Sequence, residues 1–316
     1  MSESTFQASS LLFLHAQTGL HPGSGTALGT VDMPVQRERH TAWPTIPGSA
    51  LKGVLRDRCR EKMKSQYDGS RSEANQKNPD LVAAFGPETV DGDSAHAGAL
   101  AVTDARCIAF PVRSLRGVFA WVTCPNALVR LGRDLLMAGM AKLPGLSTNV
   151  TDTSALFAED SLLKVDQNKV VLEEFEFTRI GDANPIAEWM SKHATNDAPT
   201  AARLKKNLVV LSDDYFTHFV KHATEIVARI GLNYDTKTVK KGALFYQELI
   251  PPETLFYSLV LANPSRRKDC PKTASDIVKF LELQLPPSSV LQIGGDETIG
   301  KGLCLAHLTR GKGATS

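Results

Sequence analysis

A chain of 316 residues with 36 Lys and Arg against 34 Asp and Glu, 42% apolar and 22% charged, has an ordinary globular composition, which excludes disordered, collagen-like and low-complexity classes. At this length about three quarters of the unfolded surface can be buried, enough for one large domain or a core domain carrying insertions. The five cysteines are an odd number without a C-x-x-C pair, no apolar stretch approaches the roughly 20 residues of a membrane span, and the N-terminal residues lack a basic region followed by a cleavable apolar segment, so the reading is a cytoplasmic protein without disulfides or a zinc knuckle.

Phe6 to Ala16 is rich in Leu and Phe and reads as a buried strand. Residues 18–47 carry glycine and proline without a sustained period, which predicts a long loop, and such loops inside domains are usually functional. Gly48-Ser49 is expected to cap a helix running through SALKGVLRDRCREKMK, with Leu51, Val54, Leu55, Cys59 and Met63 on its apolar side. The polar stretch 65–97 reads as an insertion with mobile parts. Strands follow at 100–112 and 117–123, and a helix at 127–141 with leucines at helical spacing. A second, acidic insertion, 150–190, is expected to hold a strand pair near 163–177. After a helix at 212–224, two strands flank Tyr234-Asp235-Thr236-Lys237 as a hairpin over 226–249. A strand at 255–261, a helix at 274–283, a glycine-rich loop at 293–302 and a last strand at 303–308 complete the chain. Strands and helices interleave without a regular βαβ rhythm, so the expected class is α+β.

Charge is segregated along this order. Residues 37–64 carry a local net charge of +5 and residues 152–188 one of −6, so a polyanion would lie on the first segment and be repelled by the second. Lys52, Arg56, Arg60 and Lys64 recur every four residues and share one helix face, beside a helix N-terminus with N–H groups suited to phosphate. A solvated basic face is the other reading of the same spacing.

The stretch from His21 to Asp32 fails as a dinucleotide fingerprint, because the third glycine position falls on Leu28. What remains is a glycine-rich loop ending in one carboxylate. Asp32 is either a turn former before Met33-Pro34 or a general base or Mg²⁺ ligand for phosphate chemistry. His21 is either such a group or a hydrogen-bonding loop residue. Gly295 to Lys301 fits G-x-x-x-x-G-K, yet Gly302 stands where a hydroxyl should hold Mg²⁺ and too little chain follows for a P-loop enzyme. His218 and His222 have metal-capable i, i+4 spacing among core residues, where structural histidines are commoner.

HPGSGTALGTVDMPVQRE, TIPGSALKGVLR, LFYQELIPPETLF and IGGDETIGKG, in that order along the chain, resemble the backbone subunit of the type III-B CRISPR (Cmr) effector complex, within the RAMP superfamily. The resemblance implies a single RAMP domain over 1–316, with a modified ferredoxin-like (RRM-like) palm, helical finger insertions and a β-hairpin thumb. It implies several copies stacked in a helical filament along a CRISPR RNA, beside other type III-B subunits. Single-stranded target RNA pairs with the guide, and each copy cuts it beside its thumb as an endoribonuclease. It further implies that Asp32 is required for cleavage, that Ser49, Lys52 and Arg56, with Arg60, grip guide phosphates, and that Gly294, Gly295, Gly300, Lys301 and Gly302 pack beside the RNA. His21, Tyr246 and Glu248 are carried over as candidate catalytic residues.

Members of this family often show two glutamates before the proline of the LFYQELIPP segment, whereas here Gln247 precedes Glu248. The chemistry needs little protein machinery, because RNA supplies its own 2′-hydroxyl nucleophile. One carboxylate holds a divalent ion only weakly, so Mg²⁺ or Mn²⁺ bound by Asp32 is expected to share its ligands with RNA phosphates and water. Two rival readings are a purely RNA-scaffolding subunit with a structural Asp32, and a nucleotide-binding enzyme that uses the G-x-x-x-x-G-K loop.

Overall fold

A computed structural model describes residues 6–26, 31–88, 95–146, 149–166 and 168–311. Residues 27–30 of the long loop and 89–94 of the polar insertion lie outside them. From the N-terminus the chain forms β1 (Ala8–Ala16), β2 (Thr45–Ile46), α1 (Gly48–Met63), α2 (Arg71–Lys77) and α3 (Pro79–Phe85). β3 (Leu100–Val102), β4 (Ala105–Arg113) and β5 (Phe119–Thr123) lead into α4 (Pro125–Met137). Next come β6 (Ser154–Phe157), β7 (Lys164–Asp166), β8 (Lys169–Leu172), β9 (Phe175–Gly181), α5 (Asn184–His193), α6 (Ala198–Asn207), β10 (Leu208–Val210) and α7 (Asp213–His222). The hairpin strands are β11 (Glu225–Leu232) and β12 (Val239–Leu249), followed by β13 (Leu255–Ala262), α8 (Ala274–Gln284), β14 (Ser289–Gln292) and β15 (Leu303–Arg310).

Most strands join one mixed sheet in the order β14-β15-β1-β13-β4-β5-β10-β6-β9-β8-β7. β1 is buried along its whole length, as expected of an apolar run with a strand on either side and helices over the sheet. It pairs antiparallel with β13, Phe13 opposite Tyr257, and with β15, Phe13 opposite His307. The α+β class is thereby met. Among the described residues, no helix is long and apolar enough to cross a membrane, and the five cysteines are buried free thiols. Burial pushes the Cys59 thiol up to about 12.

Three local expectations are revised. Ser49 does not cap α1: the N-cap is Pro47, without a side-chain cap bond, and the Gly48 N–H donates to Asp104 Oδ1 at 2.7 Å. A Cβ on Gly48 would lie 2.5 Å from the Val102 carbonyl oxygen, so the close approach of this helix end to the β3–β4 turn requires glycine. The polar stretch after α1 contains two capped helices. Ser70 accepts from the Glu73 N–H and Asn78 from those of Asp80 and Leu81, and Leu81, Ala83, Ala84 and Phe85 join the core. In the acidic stretch four strands, β6 to β9, and α5 replace the expected strand pair, and α6 follows where no helix was read.

Candidate RNA-cleavage site

The hairpin β11–β12 forms its own two-stranded sheet. The loop that carries Asp32 is laid along the base of that hairpin. Met33 N–H donates to the Tyr246 carbonyl and Glu248 N–H to the Met33 carbonyl, each at 3.0 Å, and Met33 bridges Gln247 in parallel. The side chain of Asp32 completes this edge: its Oδ2 accepts the Tyr246 N–H at 2.7 Å. Asp32 is exposed, so its carboxylate is held at the surface by backbone contacts on either side of it.

Glu248 is placed differently. It is 6% exposed, its Oε2 accepts the Val35 N–H at 3.0 Å and its Oε1 accepts from Arg37 at 2.5 Å. Arg37 also donates to the carbonyls of Ala42 and Val220, at 2.8 and 2.9 Å. The carboxylate therefore locks the loop after Asp32 onto the hairpin base and, through Arg37, onto the end of α7. Tyr246 is half exposed and contributes its backbone N–H and C=O to the Asp32 edge.

His21 is buried, and its Nδ1 hydrogen-bonds the Glu248 carbonyl oxygen at 2.7 Å. Its own carbonyl accepts the Gly295 N–H at 3.0 Å, so His21 joins the glycine loop to the hairpin base. Gly294 and Gly302 have φ of +83° and +78°, and a Cβ on them would sit 2.3 Å from the His21 carbonyl oxygen and 2.2 Å from that of Ile293. Only glycine fits those two positions. Gly302 N–H donates to the Gly19 carbonyl at 2.9 Å, and Gly300 and Lys301 lie on the same loop. Because this loop runs between antiparallel β14 and β15, with a strand after Lys301 in place of a helix, the nucleotide-binding architecture is absent and that rival reading falls.

Four residues that were not among the candidate site residues complete the cluster: Arg37, Arg229, Asp296 and Gln247, the last noted in sequence only as a departure from the family. Arg229 donates to Gln247 Oε1 at 3.0 Å and to Asp296 Oδ2 at 3.1 Å. One signal for Arg229 was available, a cation within an apolar strand at the position that alternation turns toward the less exposed face.

The basic helix stands apart. Among the described residues, none of the hydrogen bonds made by Ser49, Lys52, Arg56 or Arg60 reaches the Asp32 cluster. Lys52 Nζ donates to the Leu100 carbonyl at 2.9 Å, and burial holds its pKa below the usual lysine range. Arg56 Nε donates to Asn75 at 2.7 Å, while its Nη2 is buried without a partner among the described residues. Arg60 pairs with Asp57, Lys64 with Glu61, and Arg71 with both acids. The C-terminal half of the stripe is thus neutralised locally, and its cationic character is concentrated at Lys52 and Arg56. Asp104 occupies the helix N-terminus expected to meet phosphate. His218 and His222 meet with their rings tilted by 44° and their centroids 4.7 Å apart, and His218 packs edge-on against Phe175 at 5.2 Å. Among the described residues, no group of three or more His, Cys, Asp or Glu side chains could hold a metal ion.

The pattern of the RAMP superfamily matches residues 13–304. The protein named CRISPR system Cmr endoribonuclease Cmr4, from Pyrococcus furiosus, is 43% identical over 298 residues, 92% of each chain. A crystal structure of oligomeric Cmr4 from the same organism superposes with a TM-score of 0.70 at 32% identity, covering 96% of this chain and 98% of that one. A cryo-EM structure of the type III-B Cmr-beta complex bound to cognate target RNA contains a chain of the same fold, TM-score 0.69 at 21% identity, covering 96% and 98%.

Proposed function

The chain belongs to the RAMP superfamily and, within it, to the Cmr4 family, and on that footing we propose that it is the CRISPR RNA-binding backbone subunit of a type III-B effector complex that cleaves guide-complementary target RNA. The observation that carries the reading is Asp32, an exposed carboxylate held along the edge of the hairpin, whose base the glycine-rich loop joins through His21. In this reading Asp32 takes the proton of the target's 2′-hydroxyl, the 2′-oxygen attacks the adjacent phosphorus, and the 5′-oxygen leaves and takes a proton from water, giving a 2′,3′-cyclic phosphate and a 5′-hydroxyl end. The donor set around Asp32 fits an ion shared with RNA phosphates and water, since among the described residues it offers one carboxylate and no cage of ligands. Mg²⁺ or Mn²⁺, when bound, stabilises the developing charge on phosphoryl oxygens. The test is cleavage of a labelled complementary RNA by the reconstituted complex with either ion, beside an EDTA control. Absence of cleavage by a loaded complex would overturn the reading.

The finer architecture follows the same reading. The order β15-β1-β13-β4, with α1 after β1 and α8 after β13, supports a ferredoxin-like palm. The helices within 65–97 serve as fingers, the hairpin over 226–249 as the thumb, and copies of this chain stack along the guide beside other subunits of the complex. Removing Tyr234 to Lys237 and closing the strands with a short turn is expected to leave the subunit folded, because Tyr234 is 81% exposed and the hairpin pairs with no other strand. Guide binding should persist while the products lose their regular spacing. An unaltered product ladder would show that this hairpin is not the thumb.

Lys52 and Arg56 are the guide-phosphate ligands of this reading, supported by the Nη2 of Arg56, which has no partner among the described residues. Replacing both by alanine is expected to weaken RNA binding alike for all sequences and to flatten its salt dependence by about two units of slope. An unchanged slope would move the RNA path off α1.

One observation favours a second reading, a scaffold without cleavage of its own. Asp32 Oδ2 accepts the Tyr246 N–H, a bond that would suffice to explain an aspartate at this turn.

A further inference from the structure

The geometry points to Arg229 as a positioning residue of the cleavage site, one that holds the Asp32-bearing edge of the hairpin in register with the glycine loop. The inference rests on the cleavage reading above and adds to it the element that sets the distance between carboxylate and RNA. Arg229 lies on the less exposed face of β11, diagonal to Gln247 across the hairpin, where Val227 stands directly opposite Gln247. Its guanidinium forks, with Nε on Gln247 Oε1 at 3.0 Å and an Nη2 on Asp296 Oδ2 at 3.1 Å. Gln247 is 3% exposed and is the residue whose backbone bridges Met33, the neighbour of Asp32. Asp296 sits in the glycine loop at a left-handed φ of +65°, and its carbonyl accepts the N–H groups of Ile299 and Lys301, both at 3.2 Å. One side chain therefore links the loop's turn to the residue on which the Asp32 edge is built.

The neutral Gln247 is part of this arrangement. Arg229 already has one carboxylate partner in Asp296, and an uncharged acceptor at the buried position 247 satisfies the other arm of the fork without burying a charge there.

The other ties between these elements run through residues 19–21, including Gly302 to Gly19, Gly295 to His21 and the Leu20–Ile250 bridge. They leave the fold intact without Arg229. The pair of Arg229 and Asp296 is about a quarter exposed on either side, and such pairs add little to stability. Positioning, in contrast, is sensitive: displacement of about 1 Å between a reacting group and its base slows a reaction as much as about 100-fold.

The experiment compares wild-type, R229A, the charge swap R229D/D296R and D32A subunits in reconstituted complexes, in single turnover over a range of target concentrations. R229A is expected to lower the saturated cleavage rate at least about tenfold, with the half-saturating target concentration, guide loading and the melting temperature of the subunit unchanged. The charge swap restores a pair that Gln247 can also meet through its amide N–H, and is expected to recover most of the lost rate. A wild-type rate for R229A, a defect confined to target affinity, a fall in melting temperature with lost loading, or a charge swap no faster than R229A would each overturn the inference. D32A separates the two levels: if it cleaves like wild type, the cleavage reading itself fails, whereas an inactive D32A beside a fully active R229A removes only the positioning role.

Discussion

Replacing Asp32 by alanine is expected to slow target cleavage by at least about 100-fold, the range for loss of a catalytic acid–base group, with guide loading, target affinity and filament assembly near wild type. The physical ground is that Asp32 is exposed and, among the described residues, its side chain makes one hydrogen bond to the fold, to the Tyr246 N–H. That bond contributes about 1 kcal/mol. The backbone bonds of Met33 to Tyr246 and Glu248 keep the edge in place without it. Asp32→Asn is the sharper variant, because its amide oxygen still accepts the Tyr246 N–H while it can neither take the 2′-hydroxyl proton nor attract a divalent ion as a carboxylate does. Both variants should be inactive in Mg²⁺ or Mn²⁺, and both should assemble. Full activity of Asp32→Asn would make the subunit a scaffold, and failure of Asp32→Ala alone to assemble would make the side chain structural.

Where neighbouring residues in sequence are also neighbours in space, the chain was readable. The apolar run of β1, the four-residue spacing of Leu51, Leu55, Cys59 and Met63, and the polar turn between two alternating strands each report a single element, and each element stands where its pattern put it. Elements opened by polar caps were harder. Ser70 and Asn78 read as loop residues, although they cap α2 and α3, because serine and asparagine serve turns and N-caps by the same side-chain bond. Asp197 with Pro199 marks the start of α6 in the same way, Asp197 accepting the Thr200 N–H, and that cap with proline in the first turn is a signal that could have been used.

Charge was legible as spacing but not as pairing. Lys52, Arg56, Arg60 and Lys64 do share a face, yet Asp57 and Glu61 fold back at i, i+3 and Arg71 arrives from the next helix, so only half of the stripe remains cationic. The site shows the same division. Asp32, His21 and the glycine loop stand out as local motifs, whereas the link from Asp296 through Arg229 to Gln247 joins residues 18 and 67 positions apart and leaves no local pattern.

Glu248→Ala is expected to destabilise the subunit by about 3–5 kcal/mol, the cost of removing one partner from a buried ion pair, and to abolish cleavage as a consequence. Glu248 is 6% exposed and answers two donors at once, the Val35 N–H and the Arg37 guanidinium. Alanine would leave both without that acceptor, in a place that water does not easily reach. For a chain of this length such a loss corresponds to a melting temperature lower by about 5–8 °C. Glu248→Gln separates anchoring from chemistry, because an amide oxygen can still accept from either donor. If Glu248 acts by holding the Asp32 loop, the glutamine variant should regain most of the stability and a measurable share of the cleavage rate. If it acts as a proton-transfer group, Glu248→Gln should melt near wild type and be as inactive as Asp32→Asn. The geometry favours the first outcome, since both carboxylate oxygens are engaged with the protein and it is Asp32, on the same edge, that faces solvent.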